Sequence, residues 1–104
     1  MPRSAAPLFA ALGDETRLQI VARLSTSGPL SITRLAEGFP MTRQAITKHL
    51  RVMEEAGLVR SIAQGRESLW QVEAARVEQA RRHLDRLSAR WDERLARLKR
   101  FVER

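Results

Sequence analysis

The sequence predicts a mainly α-helical domain with one small β-hairpin and a long C-terminal helix. Three observations carry this. From Leu8 to Ala56 apolar residues recur at gaps of three and four, broken at intervals by Gly and Pro. Over 58–72 that spacing gives way to Val, Ile, Leu and Trp arranged around a Gly-containing turn. From Glu73 to the end there is neither Gly nor Pro, and the helical spacing returns. One domain is expected, since the 104 residues split in two would give cores of about 50 residues, near the lower limit for folding alone.

The elements follow in order. Met1 to Ala6 contains Pro2, Ser4 and small residues and reads as frayed. Pro7 suits the first turn of a helix, and Leu8, Phe9 and Leu12 give that helix an apolar face closed by Gly13. Asp14 is an N-cap for a second helix with Leu18, Ile20, Val21 and Leu24 inside; Ser25, Ser27, Gly28 and Pro29 end it. Ser31 caps a short third helix carrying Ile32, Leu35 and Ala36, stopped by Gly38 and Pro40. Thr42 caps a fourth helix reaching Ala56, with Gly57 as its stop. Leu58–Ala63 and Ser68–Val72 then pair through a turn at Gln64, Gly65, Arg66 and Glu67. In the last helix Ala80, Leu84, Leu87, Trp91, Leu95, Leu98 and Val102 follow gaps of 4, 3, 4, 4, 3, 4. That is 3.67 residues per turn, so the stripe runs nearly straight or drifts slightly right-handed. A helix of about 30 residues is roughly 45 Å long, more than a domain of this size covers. Its apolar stripe calls for a partner, and a second copy is the simplest one.

Composition excludes several classes. With no Cys there is no disulfide, thiolate metal site or Cys nucleophile. No apolar run approaches the roughly 18 residues of a membrane span, and no secretory signal is visible, so a cytoplasmic protein is expected. No nucleophile–base pair or phosphate-binding Gly loop is identifiable, so an enzyme is not expected. Nineteen Lys and Arg against twelve Asp and Glu give a net charge of +7, which favours a polyanionic partner. Residues 1–72 contribute nine bases and six acids, and residues 73–104 ten bases and six acids. Thr42 to Met53 holds Arg43, Lys48 and Arg51 with no acid; Glu54 and Glu55 follow at once.

Three helices, a hairpin and a further helix are the order of a winged helix-turn-helix, whose second motif helix enters the DNA major groove. The helix from Thr42 fits that role. Ile46, Leu50 and Met53 occupy its packed side, and Arg43, Gln44, Thr47, Lys48 and Arg51 the opposite one. Arg and Gln can bond base edges bidentately, while Thr, Lys and a helix N-terminus hold phosphates. Residues 1–72 thus read as the DNA-binding part and 73–104 as the dimerisation helix of one structural domain.

Two runs carry a family resemblance. Ala11-Leu-Gly-Asp-Glu-Thr-Arg-Leu-Gln-Ile-Val resembles the second-helix signature of the ArsR/SmtB family of winged-helix repressors. Thr42-Arg-Gln-Ala-Ile-Thr-Lys-His-Leu-Arg-Val-Met-Glu-Glu-Ala-Gly-Leu-Val resembles that family's recognition helix and its exit into the wing, with Gly65-Arg66 as the wing tip. The resemblance spans Leu8 to Val72. It implies a homodimeric, DNA-binding regulator, usually a repressor of its own operon. Base contacts are then expected from Arg43, Gln44, Thr47 and Lys48, and phosphate contacts from Thr42, Arg51 and Arg66. Leu84, Leu87, Trp91, Leu95 and Leu98 are expected at the dimer interface.

The departures are equally informative. Family members that sense metals or oxidants through Cys have no counterpart in a chain without Cys. Others hold zinc between their last helices through Asp and His; here that helix has His83 and Asp85, no second His, and Arg81, Arg82 and Arg86 around them. No metal or other cofactor is expected, and His83 reads as a surface residue. His49 reads as a brace for the fourth helix. Arg94, Arg97 and Arg100 are expected to face solvent or pair with Asp92, Glu93 and Glu103. The competing reading is a protein-interaction module, docking through the long helix and keeping a vestigial DNA face. The sequence names no effector: a small molecule near Trp91, a protein antagonist and simple autoregulation all stay open.

Overall fold

The computed structural model describes residues 4–103; Met1–Arg3, the start of the segment read as frayed, and Arg104 lie outside it. Each predicted cap holds its helix. The Asp14 carboxylate accepts from the Arg17 amide at 2.9 Å and opens α2, Glu15–Ser27. Ser31 Oγ accepts from the Arg34 amide at 3.3 Å and opens α3, Ile32–Ala36. Thr42 Oγ1 accepts from the Ala45 amide at 3.1 Å and opens α4, Arg43–Glu55. Before these, α1 spans Ala6–Leu12, with Pro7 in its first turn, where a missing N–H costs no bond. Ser4 is held rather than frayed: its hydroxyl accepts from the Ala6 amide and its carbonyl from Arg76.

After α4 the chain turns at Gly57, whose φ of +77° a side-chain-bearing residue rarely adopts. Strands β2 (Val59–Gln64) and β3 (Glu67–Val72) then pair antiparallel, with Ser61 opposite Trp70 and Gln64 opposite Glu67. Only Gly65 and Arg66 lie in the loop. Gly65 has φ of +63° and no described non-Gly residue has positive φ, which makes this a type II′ turn.

The structure adds one strand that the sequence reading omitted. Leu30–Ser31 forms β1, and Leu30 pairs with Trp70, so the sheet order is β1-β3-β2. It also moves the end of α2: Ser25 and Ser27 are helical, and the stop is Gly28, whose amide bonds the Leu24 carbonyl.

One core joins these parts. Leu8, Ile20, Leu35, Ile46, Leu50, Met53 and Leu58 are fully buried, and Trp70 closes the sheet side. Leu18 does not join them and is 50% exposed. It stands two residues from Ile20, about 200° around the helix, so both cannot face the core.

The last helix, α5, spans Ala74–Val102, and its 29 residues make it about 43 Å long. Its first turns belong to the core: Arg76 and Ala80 are buried. Arg76 reaches three segments. It donates through Nε to the Ala56 carbonyl at 2.9 Å, through Nη1 to Gln79 Oε1 at 2.6 Å, and through Nη2 to the Ser4 carbonyl at 2.9 Å. Beyond Ala80 the helix projects, and the chain measures 68 Å along its longest axis. His83 departs from the surface reading. It is half-buried, its ring 5.3 Å from that of Phe9. No helix among the described residues is long and apolar enough to cross a membrane.

The Asp14 cap gives a pH prediction. The Arg17 amide, and after it the Arg17 and His49 side chains, hold the carboxyl below its ordinary value; partial burial opposes them. A depressed folded-state pKa supplies stability that is present above the unfolded-state value, near pH 4, and is lost as pH falls through the folded-state value. Asp14→Asn keeps a capping acceptor and removes the titration. Its melting temperature is expected to fall less steeply than the parent's below about pH 4. Parallel curves over that range would show that the cap charge contributes nothing.

Candidate nucleic-acid interface

Helix α4 is amphipathic by construction. At 100° per residue, Ile46, Leu50 and Met53 cluster on one side and are fully buried. Arg43, Gln44, Lys48 and Arg51 lie on the other side and are exposed, with Thr47 half-buried among them. Arg66 stands exposed at the wing tip. The predicted residues of α4 therefore share one face, and the wing presents a further cation from a separate element.

The hydroxyls are partly committed. Thr42 Oγ1 accepts the capping bond and keeps its proton to donate. Thr47 Oγ1 donates to the Arg43 carbonyl at 2.8 Å, which leaves its lone pairs and methyl group facing outward. Arg51 has its own neighbours. Its Nη1 lies 3.3 Å from Glu54 Oε1, and its guanidinium carbon sits 5.9 Å from the centre of the Trp70 ring. An exposed i,i+3 ion pair contributes little, so exchanging Glu54 for a phosphate costs little.

His49 faces the Asp14–Arg17 corner: its Nδ1 is 3.5 Å from Arg17 Nη1 and 3.9 Å from Asp14 Oδ2. It joins α4 to the start of α2, in keeping with the brace reading. Arg60 was absent from the sequence reading. It pairs with Glu73 at 2.6 Å and so anchors the base of the wing to the entry of α5.

The charge and shape suit a duplex, and little else in the chain suggests chemistry. Among the described residues no group of three or more His, Cys, Asp or Glu side chains is placed to hold a metal. The largest groove, about 410 Å³, lies between the end of α2, β3 and the start of α5, lined by Leu24, Pro29, Val72 and Val77 among others.

Comparison with known proteins fits this geometry. Residues 12–62 match the family described as a helix-turn-helix domain. The HTH-type transcriptional regulator Rv2034 of Mycobacterium tuberculosis is 36% identical over 88 residues, covering 85% of this chain and 81% of that one. The solved structure of an ArsR-like transcriptional regulator from Rhodococcus sp. RHA1 superposes with a TM-score of 0.78 at 42% identity, covering 92% of this chain and 90% of that one. The chain belongs to the ArsR family. It is a transcriptional regulator with a helix-turn-helix DNA-binding domain. Another ArsR-family relative, the arsenical resistance operon repressor of Escherichia coli, is 39% identical over 59 residues, 57% of this chain and 50% of that one. Its relatives are regulators rather than enzymes. The ArsR framework accounts for the winged helix-turn-helix order of α3, α4 and the β2–β3 hairpin.

Proposed function

We propose that this ArsR-family regulator is a homodimeric repressor that binds a palindromic operator through α4 and the wing. The observation that carries the reading is the face of α4. Its acid-free outer side is exposed while its inner side is wholly buried, so its polar residues are free to meet a groove. Arg43, Gln44, Thr47 and Lys48 take the base edges, and Thr42, Arg51 and Arg66 take phosphates. Residues 1–72 do the DNA work and residues 73–104 the pairing, through Leu84, Leu87, Trp91, Leu95 and Leu98. These five are 39–59% exposed in the single chain, which supports a second copy as their cover. Repression is supported by the relative named as an operon repressor.

Selection of bound duplexes from a random pool at two salt concentrations tests this. One palindrome, with half-sites about a helical turn apart and enriched at both concentrations, is the expected result. Binding without any enriched motif, lost as salt rises, would leave only a basic surface. The division of roles has its own check. Arg43→Ala should lose affinity for the selected site far more than for random DNA, because a bidentate base contact is worth about 1–3 kcal/mol of discrimination. Arg66→Ala should weaken both alike. Equal losses on both duplexes for both variants would overturn the assignment.

A further inference from the structure

The stripe on α5 has a symmetry about its centre. Counting back from Trp91, apolar residues lie 4, 7 and 11 positions away, at Leu87, Leu84 and Ala80. Counting forward, they lie at the same distances, at Leu95, Leu98 and Val102. At 100° per residue all seven fall within about 40° of the Trp91 direction. A sequence that reads alike in both directions along one face matches itself when the second helix is reversed.

We propose that α5 pairs antiparallel with α5 of a second copy, with Trp91 on the two-fold axis. This rests on the dimer reading above and adds its direction and register. Leu84 then lies level with the partner's Leu98, Leu87 with the partner's Leu95, and Ala80 with the partner's Val102.

Three features favour the reversed direction. First, the near end of the stripe is already occupied by the chain's own domain: Ala80 is 7% exposed, whereas Leu84 to Val102 are 39–72% exposed. A parallel partner would bring its own domain to that occupied end. A reversed partner brings only a free helix tail. Second, antiparallel helices set opposite dipole ends side by side. Third, two ion pairs share one flank of the stripe: Arg81 with Asp85 at 3.2 Å and Lys99 with Glu103 at 3.9 Å. The two-fold axis places the first pair beside the partner's Lys99 and the partner's Glu103, with signs alternating. At roughly 100 Å² per side chain, six large residues from each copy reach the lower bound of a stable interface, about 1,200 Å².

The opposite flank works against pairing at low salt. Arg90 and Arg94 of both copies gather near the axis, and Arg94 already lies over the Trp91 ring at 5.6 Å. Screening that repulsion should tighten the dimer, whereas salt weakens DNA binding.

The chain has no Cys, so single-Cys variants report the register directly. A disulfide needs Cα atoms within about 7 Å. Trp91→Cys should cross-link to itself on mild oxidation. Leu84→Cys and Leu98→Cys should each stay uncross-linked alone, since a self-pair would be about 21 Å apart, and should link when mixed. All three positions lie on the exposed part of α5, and unchanged melting would confirm an intact domain. Self-links at 84 and 98 would mean a parallel dimer and overturn the register while leaving the dimer. Sedimentation as a dimer with no link at Trp91→Cys would do the same. A monomer at every concentration would overturn both readings. Dimerisation that weakens with added salt would overturn the placement of the arginine flank.

Discussion

Arg76→Met should cost this protein about 3 kcal/mol of stability, the loss expected when buried acceptors are stripped of a charged donor. Met keeps most of the Arg stem, so packing changes little and the effect isolates the guanidinium. Its removal deprives the Ala56 and Ser4 carbonyls and the Gln79 side chain of their donor. Ala56 caps the C-terminal end of α4, where a cation also complements the helix dipole. Three segments therefore loosen together: the N-terminal stretch, the end of α4 and the first turn of α5. For a chain of this size the melting temperature should fall by roughly 10–20 °C. Arg76→Lys should recover little, because one ammonium cannot reproduce a planar fork aimed at three acceptors. A drop of only a few degrees for Arg76→Met would mean that water takes over these carbonyls and that the buried guanidinium is dispensable.

Arg76 also shows where sequence reasoning stops. The sequence from 73 onward contains nine other Lys and Arg, and nothing local distinguishes the buried one. Its partners lie 20 and 72 residues away, beyond any periodicity. The same holds for His83, whose neighbour Phe9 comes from the opposite end of the chain. Strand β1 escaped notice for another reason. Two residues cannot show alternation, and Ser31 already carried a strong signal as the cap of α3. By contrast, Asp14, Ser31 and Thr42 were legible because capping is settled within three residues. The face of α4 was legible for a similar reason: its pattern has one buried side and one acid-free side, and helix geometry does the rest. Leu18 shows the limit of that reasoning. Apolar spacing identified a helix without specifying which of two ridges enters the core.

Leu95→Glu should turn the dimer into a monomer and lower operator affinity at least about 100-fold, since half-site contacts alone remain. Leu95 is 57% exposed in the single chain, so the substitution leaves the winged domain's core untouched. In a dimer it would bury two carboxylates in an apolar seam, at a cost of several kcal/mol. The separation of effects is the useful part. Sedimentation should report a monomer, and the circular dichroism spectrum should keep its helical form over the winged domain. Binding to random DNA at low salt should persist, because α4 and the wing are intact. Halving the phosphate contacts per bound species should also halve the slope of log affinity against log salt. A variant that stays dimeric and binds the operator as the parent does would place the pairing surface elsewhere. A variant that becomes monomeric yet keeps full operator affinity and slope would instead sever pairing from recognition, and α5 would then be a docking helix for some other protein.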